Sequence, residues 1–116
     1  MPTFPTSRRK ELKRMPQPEV VMRVRFKSDL TFDQVNEIVE TRAPEFEALT
    51  GLQQKYYLQD LVSGEYAGLY VWASREALDE YRQSELRATI AKAYQAQGEP
   101  DIEVYKVFKV LRDDNA

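Results

Sequence analysis

Two neighbouring runs decide the fold: Leu52-Gln53-Gln54-Lys55-Tyr56-Tyr57-Leu58-Gln59-Asp60 and, beyond Ser63-Gly64, Glu65-Tyr66-Ala67-Gly68-Leu69-Tyr70-Val71-Trp72-Ala73. Each alternates with the period of two that separates the faces of a β-strand. The first sets Leu52, Gln54, Tyr56 and Leu58 against Gln53, Lys55, Tyr57 and Gln59. The second sets Tyr66, Gly68, Tyr70 and Trp72 against Ala67, Leu69, Val71 and Ala73, so both of its faces are apolar. Joined by a short Gly-containing turn, the pair reads as a β-hairpin.

Working outward toward the N-terminus, Thr50-Gly51 closes a helical pattern that starts at Thr31. Thr31 with Gln34 three residues on forms a capping box. Phe32, Val35, Ile38, Val39, Ala43, Phe46 and Leu49 follow at spacings of three and four, which predicts an amphipathic helix of about 18 residues. Pro44 lies within it and predicts a kink or split near Arg42. Before the helix, Val20, Met22, Val24 and Phe26 alternate with Val21, Arg23, Arg25 and Lys27, a first strand.

Toward the C-terminus, Ser74 caps a second helical pattern through Ala77, Leu78 and Tyr81. Its phase slips near Ser84 and resumes with Leu86, Ile90, Ala93 and Tyr94 until Gly98 and Pro100 stop it. Ile102 to Leu111 reads as the last strand. The order β-α-β-β-α-β predicts an α+β, ferredoxin-like domain: one four-stranded antiparallel sheet with two helices on one face. One helical layer covers one face only, while the third and fourth strands read as apolar on both. An isologous homodimer closing two sheets face to face resolves that conflict.

Composition narrows the chemistry. The chain has 116 residues, 42% apolar and 31% charged, with no Cys and no His. That length suits one domain, placed at 19–116 behind a basic N-terminal arm at 1–18. Without Cys or His there is no disulfide frame, no Ser-His or Cys-His nucleophile pair and no ordinary zinc or histidine-haem site. No loop clusters acidic side chains at metal-ligand spacing, so no metal is expected. The arm holds Arg8, Arg9, Lys10, Lys13 and Arg14 against Glu11, which leaves residues 19–116 acidic in a chain of net charge −2. An acidic domain argues against nucleic acid as a partner. No apolar run reaches the ~20 residues of a membrane helix and no secretory h-region is seen, so a cytoplasmic protein is expected.

The run Gly51-Leu52, Lys55-Tyr56-Tyr57, Gly64, Gly68-Leu69-Tyr70-Val71-Trp72, Ser74-Arg75-Glu76-Ala77 and Tyr81 resembles the YdhR-like monooxygenase family of the dimeric α+β barrel superfamily, relatives of the antibiotic-biosynthesis monooxygenases. The resemblance covers residues 19–115, and Ala67 stands where the family often has a second Gly. It implies a homodimeric barrel with an apolar pocket in each protomer between sheet and helices. It further implies cofactor-independent oxidation of a small hydrophobic aromatic substrate, such as a phenol or anthrone. A non-catalytic dimeric module that binds a small apolar molecule is the alternative, since fold does not fix function.

A flat aromatic ligand suits rings that stack on it and polar groups that hold its oxygens. Lys55 is the candidate anion stabiliser or base, with Tyr57 and Tyr70 as hydrogen-bond donors to the substrate oxygen. Trp72, Tyr56 and Tyr81 are candidate substrate-binding rings. Arg23 and Arg25, which share a face of the central first strand, are either anchors for a substrate anion or partners of carboxylates such as Glu103.

Overall fold

A computed structural model describes residues 17–112. The hairpin forms: β2 (Leu52–Gln59) pairs antiparallel with β3 (Tyr66–Trp72), which sets Lys55 opposite Tyr70 and Tyr57 opposite Gly68. Asp60 builds the turn, accepting hydrogen bonds from the amides of Val62 at 2.8 Å and Ser63 at 2.9 Å. Those amides, aided by the Arg25 guanidinium at 2.9 Å, hold the Asp60 carboxyl down to about 2.

The central strand β1 (Val20–Phe26) lies between β3 and β4 (Asp101–Lys106), giving the antiparallel order β2-β3-β1-β4. This is the ferredoxin-like α+β sheet that the element order predicts. Four helices fill the crossovers: α1 (Phe32–Glu47), α2 (Arg75–Arg82), α3 (Glu85–Ala88) and α4 (Ile90–Ala93). The core lies between them and one face of the sheet. Val20, Met22, Val24, Tyr70 and Trp72 meet Val35, Phe46, Leu78, Tyr81, Ile90 and Tyr94, all buried.

Three expectations need correction. The first helix is not split: α1 starts on the Thr31–Gln34 capping box and runs past Pro44 to Glu47, and the Pro44 carbonyl accepts from Ala48 N–H at 3.2 Å. Pro44 and Glu40, one turn earlier, are both exposed, so the carbonyl that loses its helical donor is on the wet side of the helix. The phase slip near Ser84 is a break. The Ser84 hydroxyl donates to the Tyr81 carbonyl at 2.6 Å and accepts from Arg87 N–H at 3.2 Å, ending α2 and capping α3.

The last strand stops at Lys106 rather than Leu111. Beyond it, Val107 N–H reaches the Glu19 carbonyl at 2.9 Å, and β1 begins at Val20, so no neighbouring strand remains to pair with the chain. Phe108 and Leu111 are exposed.

The sheet face away from the helices carries Tyr56 and Leu58 from β2, Leu69 and Val71 from β3, Val21 from β1 and Tyr105 from β4. It is apolar over β3 but polar at Asp101 and Glu103, so β4 is not apolar on both faces. Those two carboxylates pair with Arg23, at 3.5 and 2.6 Å, while Arg25 pairs with Asp60 and Glu65. No helix among the described residues is long and apolar enough to cross a membrane. Residues 1–16 of the expected arm lie outside the described residues.

Candidate functional site

Lys55 enters the sheet's covered face because its neighbours in the alternation, Gln54 and Tyr56, take the other one. Its Nζ lies 3.4 Å from the centre of the Phe46 ring on α1 and 4.5 Å from the centres of the Tyr57 and Tyr70 rings. Gly68 makes room for this course. A Cβ there would crowd the Tyr70 ring, 3.0 Å from its Cε1, and would touch Lys55 Cε at 3.5 Å.

No carboxylate forms an ion pair with Lys55 among the described residues. Burial, with the positive field of Arg42 added to it, lowers the Lys55 ammonium to about 7. Faces of aromatic rings favour the cation, by roughly 0.5–2 kcal/mol each. Near neutral pH, both the amine and the ammonium are therefore populated. Arg42 is fixed in place: its Nη2 donates to the Leu86 carbonyl at 2.8 Å and to Thr89 Oγ1 at 3.1 Å. The broken second helical segment thus supplies the clamp for the charge that acts on Lys55.

The phenols go the other way. Burial raises Tyr70 well above its usual value and carries Tyr81 and Tyr94 up to about 12, and burial with the nearby Glu47 carboxylate raises Tyr57. At neutral pH they are protonated donors rather than bases. The Tyr70 and Tyr81 hydroxyls stand 3.5 Å apart.

Lys55, Tyr57 and Tyr70 line one apolar slot with Val35, Ile90 and Tyr94, a cavity of about 40 Å³. A second, open groove of about 360 Å³ lies outside it, beside Ala43 and Glu47, and Lys55 and Tyr57 line that groove too. The two side chains form the partition between inner slot and outer groove. Among the described residues, no three acidic groups gather to hold a metal ion.

Of the residues singled out from the sequence, the structure thus brings together Lys55, Tyr57 and Tyr70. Trp72 and Tyr81 stand behind them, buried: Trp72 stacks on Tyr70 at 6.2 Å and Tyr81 packs on Trp72 at 5.2 Å, and neither lines the slot. Tyr56, Arg23 and Arg25 lie on the opposite face of the sheet, so a substrate-binding role for them in this slot does not hold. The strand period explains all three, because each is one residue out of phase with a slot-facing neighbour. The arginines meet carboxylates instead, Glu103 among them.

With the geometry in place, comparison with solved structures is informative. SnoaB, a cofactor-independent oxygenase from Streptomyces nogalater, matches with a TM-score of 0.66 at 15% identity over 81% of this chain and 97% of its own. A proposed antibiotic-biosynthesis monooxygenase from Caulobacter crescentus matches at 0.66 and 16% identity, over 88% and 99%. A protein from Mycobacterium tuberculosis matches at 0.63 and 17%, over 80% and 98%. The chain has the α+β fold of the antibiotic-biosynthesis monooxygenase-like proteins. At these identities the likeness is one of fold. No protein-family model matches the sequence, and no curated protein matches it.

The residue that reading the sequence missed is Arg42. Its position carried a signal: three residues after Val39, seven after Val35 and four before Phe46, it puts a cation on the apolar stripe of α1. A charge on that stripe has to find a polar partner or a cavity.

Proposed function

We propose that the protein is a monooxygenase that oxidises a small hydrophobic aromatic substrate bearing an acidic phenol or α-carbonyl C–H, using dioxygen and no metal or organic cofactor. The observation that carries this reading is Lys55, a partly buried amine with no carboxylate ion-pair partner among the described residues, walled by aromatic rings at the edge of an apolar slot.

With its pKa lowered to about 7, the neutral amine of Lys55 accepts the substrate proton, and the resulting ammonium stabilises the substrate anion. Tyr57 and Tyr70, both protonated, donate hydrogen bonds to the charged oxygen. The electron-rich anion reduces dioxygen; one oxygen atom enters the substrate and the other leaves as water. The inner slot, at about 40 Å³, is smaller than the ~150 Å³ cavity that takes up benzene. A ring system enters by displacing Tyr57 from the partition, which joins the slot to the outer groove and reaches the few hundred Å³ usual for small-ligand sites. Strand β2 lies at the sheet edge and, among the described residues, pairs with β3 alone, so this wall can yield.

The working form in this proposal is a homodimer closed through the face that carries Tyr56, Leu69, Val71 and Tyr105, in the cytoplasm. The tightness of the slot favours one other reading, a non-catalytic module for a small apolar molecule. Oxygen uptake with a panel of anthrones and hydroxyquinones separates the two. Turnover that falls at least ~10-fold in Lys55→Met supports the oxygenase. Saturable binding of the panel with no oxygen uptake overturns it in favour of the binding module.

A further inference from the structure

We propose that Lys55 is also a carbonyl-condensing amine, which takes a small aldehyde into the inner slot and holds it as an imine. The inference rests on reading the slot as the functional site and is independent of any oxygen chemistry.

Three features support it. An amine attacks a carbonyl only as the free base, and lysines gain that state when they are desolvated or set near another cation. Lys55 has both conditions, in its apolar walls and in the guanidinium of Arg42, itself fixed by Leu86 and Thr89. The groups facing it from the packed elements are Arg42 and Glu47 of α1, Tyr57 of β2 and Tyr70 of β3, and among the described residues no ion pair with a carboxylate holds it in the charged form. Space is the third feature. The slot of about 40 Å³ is too small for a polycyclic ligand at rest, but its scale suits a carbonyl compound of a few carbon atoms.

The step balances without an oxidant. The Lys55 Nζ lone pair forms a C–N bond to the carbonyl carbon, giving a carbinolamine. Its hydroxyl, the former carbonyl oxygen carrying one amine proton, then leaves with the second amine proton as water, and a C=N bond remains. The apolar walls limit the water that reverses the step.

The test is reductive trapping under anaerobic conditions. The full-length protein at pH 7 is treated with propanal and cyanoborohydride, and the modified lysines are mapped and timed by mass spectrometry. Lys27, Lys92, Lys106 and Lys109, all exposed, are internal standards. Lys55 is expected to acquire the propyl group at least ~10-fold faster than any of them, because about half of it is free base at pH 7 against under about one part in a thousand for an ordinary lysine. The fast site should vanish in Lys55→Arg, which keeps the charge and forms no imine. Modification of Lys55 no faster than the exposed lysines overturns the proposal, as does a fast lysine elsewhere that survives in Lys55→Arg. Trapping without oxygen uptake sinks the oxygenase reading alone; oxygen uptake without trapping sinks this one alone.

Discussion

Lys55 Nζ sits 3.4 Å from the centre of the Phe46 ring, where a partly buried lysine would ordinarily meet a carboxylate. A ring face returns only part of what a charge loses on leaving water, so the site is held by the packing around it rather than by its own interactions.

Lys55 in the folded state has a pKa of about 7, below the ~10.4 of an exposed lysine, so between these values the unfolded chain binds more protons than the folded one. Stability from this group therefore rises as pH goes from 7 toward 10.4. Lys55→Met removes the charged form altogether. It is expected to be more stable than the parent by ~1 kcal/mol or more at pH 6, with the gain shrinking to near zero by pH 10. Urea unfolding at the two pH values checks this; an equal difference at both contradicts it.

Arg42→Met takes away the positive field and the two bonds to Leu86 and Thr89. The Lys55 pKa should then rise, read from the NMR titration of its ε-methylene. Unfolding free energy should fall by roughly 1–2 kcal/mol, since a part-buried carbonyl loses a charged donor. A Lys55 titration unmoved by the substitution means that burial alone sets it.

For the homodimer, sedimentation at micromolar concentration should give twice the 13.6 kDa chain mass. Val71→Glu, on the face away from the helices and opposite Val21 and Gln54, should weaken association by at least ~100-fold, because it sets a carboxylate with no cation opposite it in the centre of a contact. Circular dichroism should show the fold retained. A parent protein that sediments as a monomer overturns the sheet-to-sheet arrangement.

Gly51 links α1 to β2 with φ +90°, and a Cβ there would lie 2.5 Å from the Cβ of Ala77. Gly51→Ala is expected to cost about 2–4 kcal/mol, from a left-handed backbone and a clash with α2. Thermal unfolding reads it directly. Gly64→Ala at the exposed hairpin turn, φ +78° with nothing near, should cost less.

Period and capping made most of the fold legible. The Tyr66-to-Trp72 alternation gave a strand, and Thr31 with Gln34 marked a helix start, because both are local interactions written in adjacent residues. The end of β4 was not legible, since it depends on where a partner strand far earlier in the chain begins, at Val20 opposite Lys106. The site follows the same division. Alternation put Lys55, Tyr57 and Tyr70 on one side, but it could not tell that Trp72 and Tyr81 stand behind Tyr70, which is a matter of depth rather than of face. Nor could it separate the two readings of Arg23 and Arg25, whose carboxylate partners Glu103, Asp60 and Glu65 come from other strands and turns.

The rings around Lys55 come from three places in the chain: Phe46 on a helix, Tyr57 on its own strand and Tyr70 across the hairpin. Any state in which α1 has left the sheet exposes the lysine to water and returns it to an ordinary amine. Its reactivity toward a mild acylating reagent near neutral pH is thus a clock for the docking of that helix. The protein carries a chemical reporter of its own assembly, one that needs no fluorophore and no added label.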